Sequence, residues 1–442
     1  GTYGPDNFSS TYGVSLSKCS GAAGSPITYK ANGAGVKIVR ANAANEFGFW
    51  VAGPAMHDIA IDGFDISQAQ AGVWINAADR ISVTNCYIHD ANVPGAYGFG
   101  IALRHQGSET AEGCVFMNNV VSNVIGASGG AAIILYTGNG TKVYHNTLDA
   151  CEYGFWLIDV GAPYDAVQFK NNIVSNNSWG IAIGRQGIAV WENNCYWNNT
   201  GGNGGGGGGE FVGDPKYVGG SPFDFHLQNG SAAIDMGAEL GYPYQGVAPD
   251  CGAFESPYAR QGATYHVTPN GDNGGNGDGT EAHPWKLIDL GDVLKILKPN
   301  DTVLVHAGTY GAANVSQIGV QLAWCSGKPG FPITYKAEPG AVIDMQGAAG
   351  RFGFADQYWG TVVPPVHDIV IDGFEIANTA VGVYIAGGSR IIVKNCYIHG
   401  AGTPTAGNSY GIQLTGLPAF CYPSDDCVFQ NNVIANLTNN LS

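Results

Sequence analysis

A long block of sequence occurs twice in this chain, and a fold that accommodates it must be modular. Pro26-Ile27-Thr28-Tyr29-Lys30-Ala31 returns as Pro332-Ile333-Thr334-Tyr335-Lys336-Ala337, and His57-Asp58-Ile59-Ala60-Ile61-Asp62-Gly63-Phe64 as His367-Asp368-Ile369-Val370-Ile371-Asp372-Gly373-Phe374. Asn85-Cys86-Tyr87-Ile88-His89 returns as Asn395-Cys396-Tyr397-Ile398-His399. The offset drifts only from 306 to 310 residues, and Gly1-Thr2-Tyr3-Gly4 matches Gly308-Thr309-Tyr310-Gly311. Two partial copies of one unit are therefore expected.

Within each copy a shorter period appears. Asn or Gly recurs at one place in strand-like runs such as Ile61-Asp62-Gly63, Val83-Thr84-Asn85, Phe116-Met117-Asn118, Tyr144-His145-Asn146, Phe169-Lys170-Asn171 and Trp191-Glu192-Asn193. Each run is followed by Gly and alternating apolar residues, as in Gly72-Val73-Trp74-Ile75 and Gly154-Phe155-Trp156-Leu157. Two strands and two turns per step describe a solenoid coil, which buries its apolar face only by stacking on its neighbours. Strands about 4.8 Å apart then form one continuous core, and an Asn at the same turn of successive coils can build a side-chain amide ladder. The column expected is Asn85, Asn118, Asn146 and Asn171.

Composition fits an ordered protein, with 45% apolar and 12% charged residues. A formal charge of −16 repels phosphate backbones and anionic membranes unless a cation mediates, so nucleic acid is a poor partner. No apolar run is long enough for a membrane span. Ten cysteines with no Cys-x-x-Cys, and sequons at Asn7, Asn139, Asn176, Asn198, Asn229, Asn300, Asn314, Asn436 and Asn440, point to an extracellular or cell-surface glycoprotein. Cys421 with Cys427 is the expected local disulfide; Cys86 and Cys396 are as readily buried thiols.

On these residues the chain resembles the right-handed parallel β-helix proteins of the pectate-lyase-like group. The resemblance implies an all-β fold with residues 264 to 310 as an amino-terminal entry and residues 210–255 as an ending segment. The expected organisation is a first unit over 1–255 without an entry cap, a linker over 256–263, and a second unit over 264–442 that lacks an ending. Leu287, Ile288, Leu290, Leu294 and Leu297 at helical spacing predict a short cap helix over about 285–298.

Positions just after the second strand of each coil should form an exposed stripe: Asn76, Arg104 with His105, Tyr136, Asp159 and Arg185. Arg, His and Tyr suit proton abstraction beside a sugar carboxylate, and Trp74, Trp156 and Trp179 suit sugar stacking. The second copy has Ala386 for Asn76 and Thr415-Gly416 for Arg104-His105, so it does not repeat this set. The shared carboxylates Asp58, Asp62 and Asp65 are expected to serve turns. The Gly-rich loop with Asp272, Asn273, Asn276 and Asp278 offers oxygen ligands of the kind Ca²⁺ accepts. Three functions follow: a structural β-helix protein that self-associates through neighbouring units into a filament or surface layer, a polysaccharide lyase or hydrolase working from the first unit, and a glycan-binding adhesin.

Overall fold

Asparagine enters left-handed backbone more readily than other side-chain-bearing residues, and this chain turns its corners with it. In the computed structural model Asn85, Asn118, Asn171 and Asn193 have φ of 55, 56, 57 and 53°, and Gly63 holds 81° at the same corner one coil earlier. The structure describes all residues except 9–10, 34, 54–55, 106–110, 159–165, 185–188, 204–209, 275–276, 317, 348–350, 357–365, 402–408, 416–423 and 438–442.

The chain divides into two units, Gly1–Arg260 and Gln261–Ser442. One coil of the first unit runs through strands His57–Asp62, Asp65–Ser67 and Ala71–Asn76, and the next through Asp79–Thr84, Tyr87–His89 and Gly98–Arg104. They pair in parallel, with Ile59 on Ile81, Ile66 on Ile88 and Val73 on Ile101. Repetition of this register produces parallel sheets of nine, seven and seven strands, and in the second unit sheets of six, five and four. Inward side chains from all three sheets of the first unit, among them Phe49, Ile61, Val83, Ile101, Phe116, Phe155 and Phe169, make one buried core. This is a parallel β-helix.

The amide ladder exists, but as two adjacent columns rather than the single one expected. Asn119, Asn146, Asn172 and Asn194 are fully buried, and each of the first three donates Nδ2–H to Oδ1 of the next at 3.0 Å. One residue earlier in each coil lies the left-handed corner column of Asn85, Asn118, His145, Asn171 and Asn193. Asn146 thus belongs to the inner ladder, and His145 takes the corner place beside it. The carboxylates shared by the two copies tie coil to coil. Asp58 takes Nε–H and Nη2–H of Arg80 at 3.0 and 2.9 Å, as Asp368 takes those of Arg390 at 2.9 and 2.7 Å. Asp65 and Glu375 each meet a histidine of the following coil, His89 and His399, at 3.0 Å.

The entry segment of the second unit packs as a cap but is scarcely helical. Trp285, Ile288, Leu290 and Leu297 are buried with Val267 and Val303, yet the α-helix is only Leu290–Val293, and Leu294 is 55% exposed. Two buried carboxylates explain the difference. Asp289 accepts the backbone N–H of Ser316 and Gln321, and Asp292 accepts those of Ala323, Trp324 and Cys325. The segment is therefore shaped to the loop it caps, and Lys295 at φ 60° ends the helical turn. Asn314 also departs from expectation. It is buried, and its amide donates to the carbonyls of Pro269 and Lys286 at 3.0 and 3.2 Å, so it is no glycan acceptor in the folded protein. Asn7, Asn176, Asn198, Asn229, Asn300 and Asn436 are exposed, Asn139 is half-buried, and Asn440 lies outside the described residues.

Cys86 and Cys396 are buried free thiols, and burial pushes the Cys86 thiol up to about 12. Cys427 is a free thiol 3.6 Å from the carbonyls of Gly388 and Asp425, while Cys421 lies outside the described residues.

Candidate functional site

The second sheet of the first unit presents an outward face on which large aromatic and small side chains share the same columns. Along one column stand Trp50, Trp74, Ala102, Ile134, Trp156 and Ala182; along the next stand Ala52, Asn76 and Arg104. Where a coil offers alanine, its neighbour's aromatic ring can lie over it. Trp50 and Trp74 stack at 5.6 Å and 9°, with Phe47 against both and Tyr12 against Trp50 at 4.8 Å. The Arg104 guanidinium sits 4.8 Å from the Trp74 ring and 4.4 Å from the Tyr136 ring, a cation between two π faces. Burial pushes the Tyr136 phenol up, while Arg104 pulls it the other way. Trp74 Nε1 is buried without a hydrogen-bond partner among the described residues.

Of the residues expected in the stripe, the structure brings together Trp74, Asn76, Arg104 and Tyr136, with half-buried His105 next in chain to Arg104. Trp156 stands three coils along the same column as Trp74, roughly 14 Å away at the usual strand spacing, and stacks on Tyr153 at 4.6 Å. Trp179 is 47% exposed and pairs with Tyr153 in a different column, at the other edge of the sheet. Asp159 and Arg185 lie outside the described residues. Trp50, Phe47 and Tyr12 were not anticipated. The signal for Trp50 was present, because Gly48-Phe49-Trp50 repeats the frame of Gly72-Val73-Trp74. In the second unit the equivalent column reads Ala355, Tyr384, Gln413, with Ala386 and Thr415 beside it, so the aromatic and cationic set belongs to the first unit.

A second hollow lies between the corner column and the ending segment. Tyr87, Phe223, Phe225, Phe254, Asn85 and Asn118 line a groove of about 510 Å³ beside the antiparallel hairpin of Tyr217–Gly219 and Asp224–Leu227. His226 stacks on Phe254 at 4.1 Å with its Nδ1 2.6 Å from Asp224. Behind it, burial holds His145 neutral, down to about 4; Asn171 donates to its Nε2, so its Nδ1–H points at the Asp250 carbonyl. Burial raises Asp250 to about 6, and burial with the Asp250 charge raises Glu255 to about 7. Carboxyls raised in the folded state stabilise it below their unfolded pKa and lose that contribution as pH rises through the folded value. His145 works in the opposite sense, but only below about pH 6.5. Hydrogen-exchange protection of residues 245–256 is therefore expected to fall between pH 6.5 and 8, after correction for intrinsic exchange. Glu255→Gln should flatten that dependence.

In the calcium-type loop, Asp272, Asn273 and Asp278 spend their oxygens on backbone amides. Asp272 Oδ1 accepts from Gly274, Asn273 Oδ1 from Lys286 and Leu287, and Asp278 Oδ1 from Thr280. Asn276 lies outside the described residues. Among the described residues no group of three His, Cys, Asp or Glu side chains is placed to hold a metal, and no helix is long and apolar enough to cross a membrane.

Residues 12–213 match the family model described as right handed beta helix region. No curated protein matches the chain. Among solved structures, a mutant of the PL6 family alginate lyase AlyGC aligns at 12% identity over 99% of this chain and 77% of its own, with a TM-score of 0.27. The catalytic unit of a GH87 α-1,3-glucanase from Streptomyces thermodiastaticus aligns at 13% identity over 94% and 63%, with a TM-score of 0.25. The tailspike of E. coli bacteriophage HK620, solved with a pentasaccharide, aligns at 13% identity over 97% and 72%, with a TM-score of 0.27.

Proposed function

The chain belongs to the right-handed parallel β-helix proteins, and we propose that its first unit binds a polysaccharide along the aromatic and arginine stripe, in an extracellular setting. The observation that carries this proposal is Arg104 held between Trp74 and Tyr136, with Trp50 stacked on Trp74. Trp74 and Tyr136 hold the guanidinium in place, and Trp and Arg are the side chains that most often dominate binding energy. Coils about 4.8 Å apart present successive contacts at a step close to that of one sugar in a chain. The guanidinium favours a glycan with carboxylate groups, against a strongly negative remainder of the protein.

A panel of uronate and neutral polysaccharides, followed by tryptophan fluorescence, tests this. Trp74→Ala and Arg104→Ala are each expected to weaken binding by about tenfold or more, as truncation of a central anchor costs over 1 kcal/mol. Binding that ignores both changes would remove the stripe from consideration. A lyase function would draw on the same Arg104 with His105 beside it; it requires turnover of the bound uronate that Arg104→Ala abolishes. Filament or surface-layer assembly is supported by the duplication alone, whereas the stripe is private to one unit.

A further inference from the structure

We propose that His266 and His306 of the second unit form a two-histidine site for a divalent transition metal of the zinc or copper class. His266 Nδ1 and His306 Nε2 face each other at 2.9 Å, with ring centres 5.2 Å apart and ring planes within 17°. Two nitrogens pointing at one another almost in plane share a single proton, and a metal ion occupies the same place between two lone pairs. On a tetrahedral zinc with bonds of about 2.0–2.1 Å the two nitrogens lie roughly 3.3 Å apart and each lone pair turns about 35° off the line between them, so the rings must open by a few tenths of an ångström and tilt together. Adjacent strands carry the two rings. His266 is in strand Thr264–Val267, paired through Leu304 with Thr302–Val305, and His306 follows that second strand directly.

Glu338 supplies the next layer of the site. Its carboxylate lies 3.0 Å from His306 Nδ1, and a carboxylate only accepts, so Nδ1 of His306 carries a proton and, in the neutral ring, Nε2 carries the lone pair. His266 is then the donor at Nδ1. When a metal enters, His266 gives up that proton from Nδ1 and takes one from solvent at Nε2, leaving two neutral imidazoles and no net proton release. A carboxylate on the far nitrogen of a ligating histidine orients the ring and raises its basicity. Imidazole ligands suit Zn, Cu and Ni over Mg or Ca. His306 is 25% exposed and Glu338 41% exposed in their side chains, so an ion reaches the pair from solvent and water completes its coordination.

Zinc chloride titrated calorimetrically into the full chain at pH 7.5 tests the site. One site per chain is expected, weakened more than tenfold in His266→Ala and in His306→Ala and about tenfold in Glu338→Gln, with His399→Gln unchanged. Circular dichroism of each variant reports folding, and copper(II) bound to the unaltered protein provides a readout without mutation: its electron paramagnetic resonance spectrum should show two imidazole nitrogens. Absence of stoichiometric binding, binding that survives loss of both histidines, or a copper spectrum with fewer than two imidazole nitrogens would overturn the proposal.

Discussion

Replacing Asn146 with alanine is expected to destabilise the first unit by about 3–5 kcal/mol, read as a lower urea midpoint. Its amide donates to Phe116 O and Tyr144 O at 2.9 Å and to Asn172 Oδ1 at 3.0 Å, and its Oδ1 accepts from Asn119 N and Nδ2, both at 3.0 Å. Alanine leaves these partners buried where water does not reach, and each orphaned group costs about 1–3 kcal/mol before relaxation. Asn118 provides the contrast. It lies on the outer column with one weak side-chain contact, to Asn85 at 3.4 Å, so Asn118→Ala should cost only about 1 kcal/mol, the preference of its left-handed corner at φ 56° for asparagine. Equal losses from the two changes would mean that the inner ladder does not carry the load assigned to it.

The second large effect is steric. Gly48, Gly72, Gly100, Gly154 and Gly180 stack where the aromatic-bearing sheet turns inward, and a Cβ at Gly100 would lie 2.3 Å from Val121 Cγ1 and 2.4 Å from Ala132 O. The equivalent contacts at Gly48 and Gly72 are with Ile66 Cγ2 and Ile88 Cγ2, at 2.5 and 2.3 Å. A β-branched residue on the facing strand thus demands glycine. Ala132 takes the glycine place in the coil whose facing strand, Thr147–Asp149, offers Leu148, which branches one carbon farther out. Gly100→Val is expected to cost about 3–5 kcal/mol in thermal or urea unfolding. Gly100→Ala should be milder, and adding Val121→Leu should recover part of its loss. A fully stable Gly100→Val protein would contradict the close approach.

What could be read from the chain follows from how local each cause is. The coil period, the corners and the duplicated scaffold were legible because a left-handed corner restricts residue type at one position, in every coil. The two-column ladder was not, since Asn118-Asn119 and Asn171-Asn172 put amides in both columns and sequence does not say which one turns inward. The cap segment misled because Leu290, Leu294 and Leu297 have helical spacing, whereas its conformation is dictated by Asp289 and Asp292 gripping a loop some thirty residues away. The stripe was legible in part: Trp74 and Arg104 stood out, but Trp50 gained meaning only when stacking set it parallel to Trp74.

The buried amides all donate in one direction, from Asn119 through Asn146 and Asn172 to Asn194, and Asn194 hands its hydrogen at 3.1 Å to Glu210, which also receives the Tyr196 hydroxyl at 2.7 Å. Aligned dipoles accumulate polarity, so the row behaves as a wire whose far pole calls for negative charge. Glu210 earths it: an anion at that pole marks where the row of amides stops, giving the column a defined length and a sense of direction.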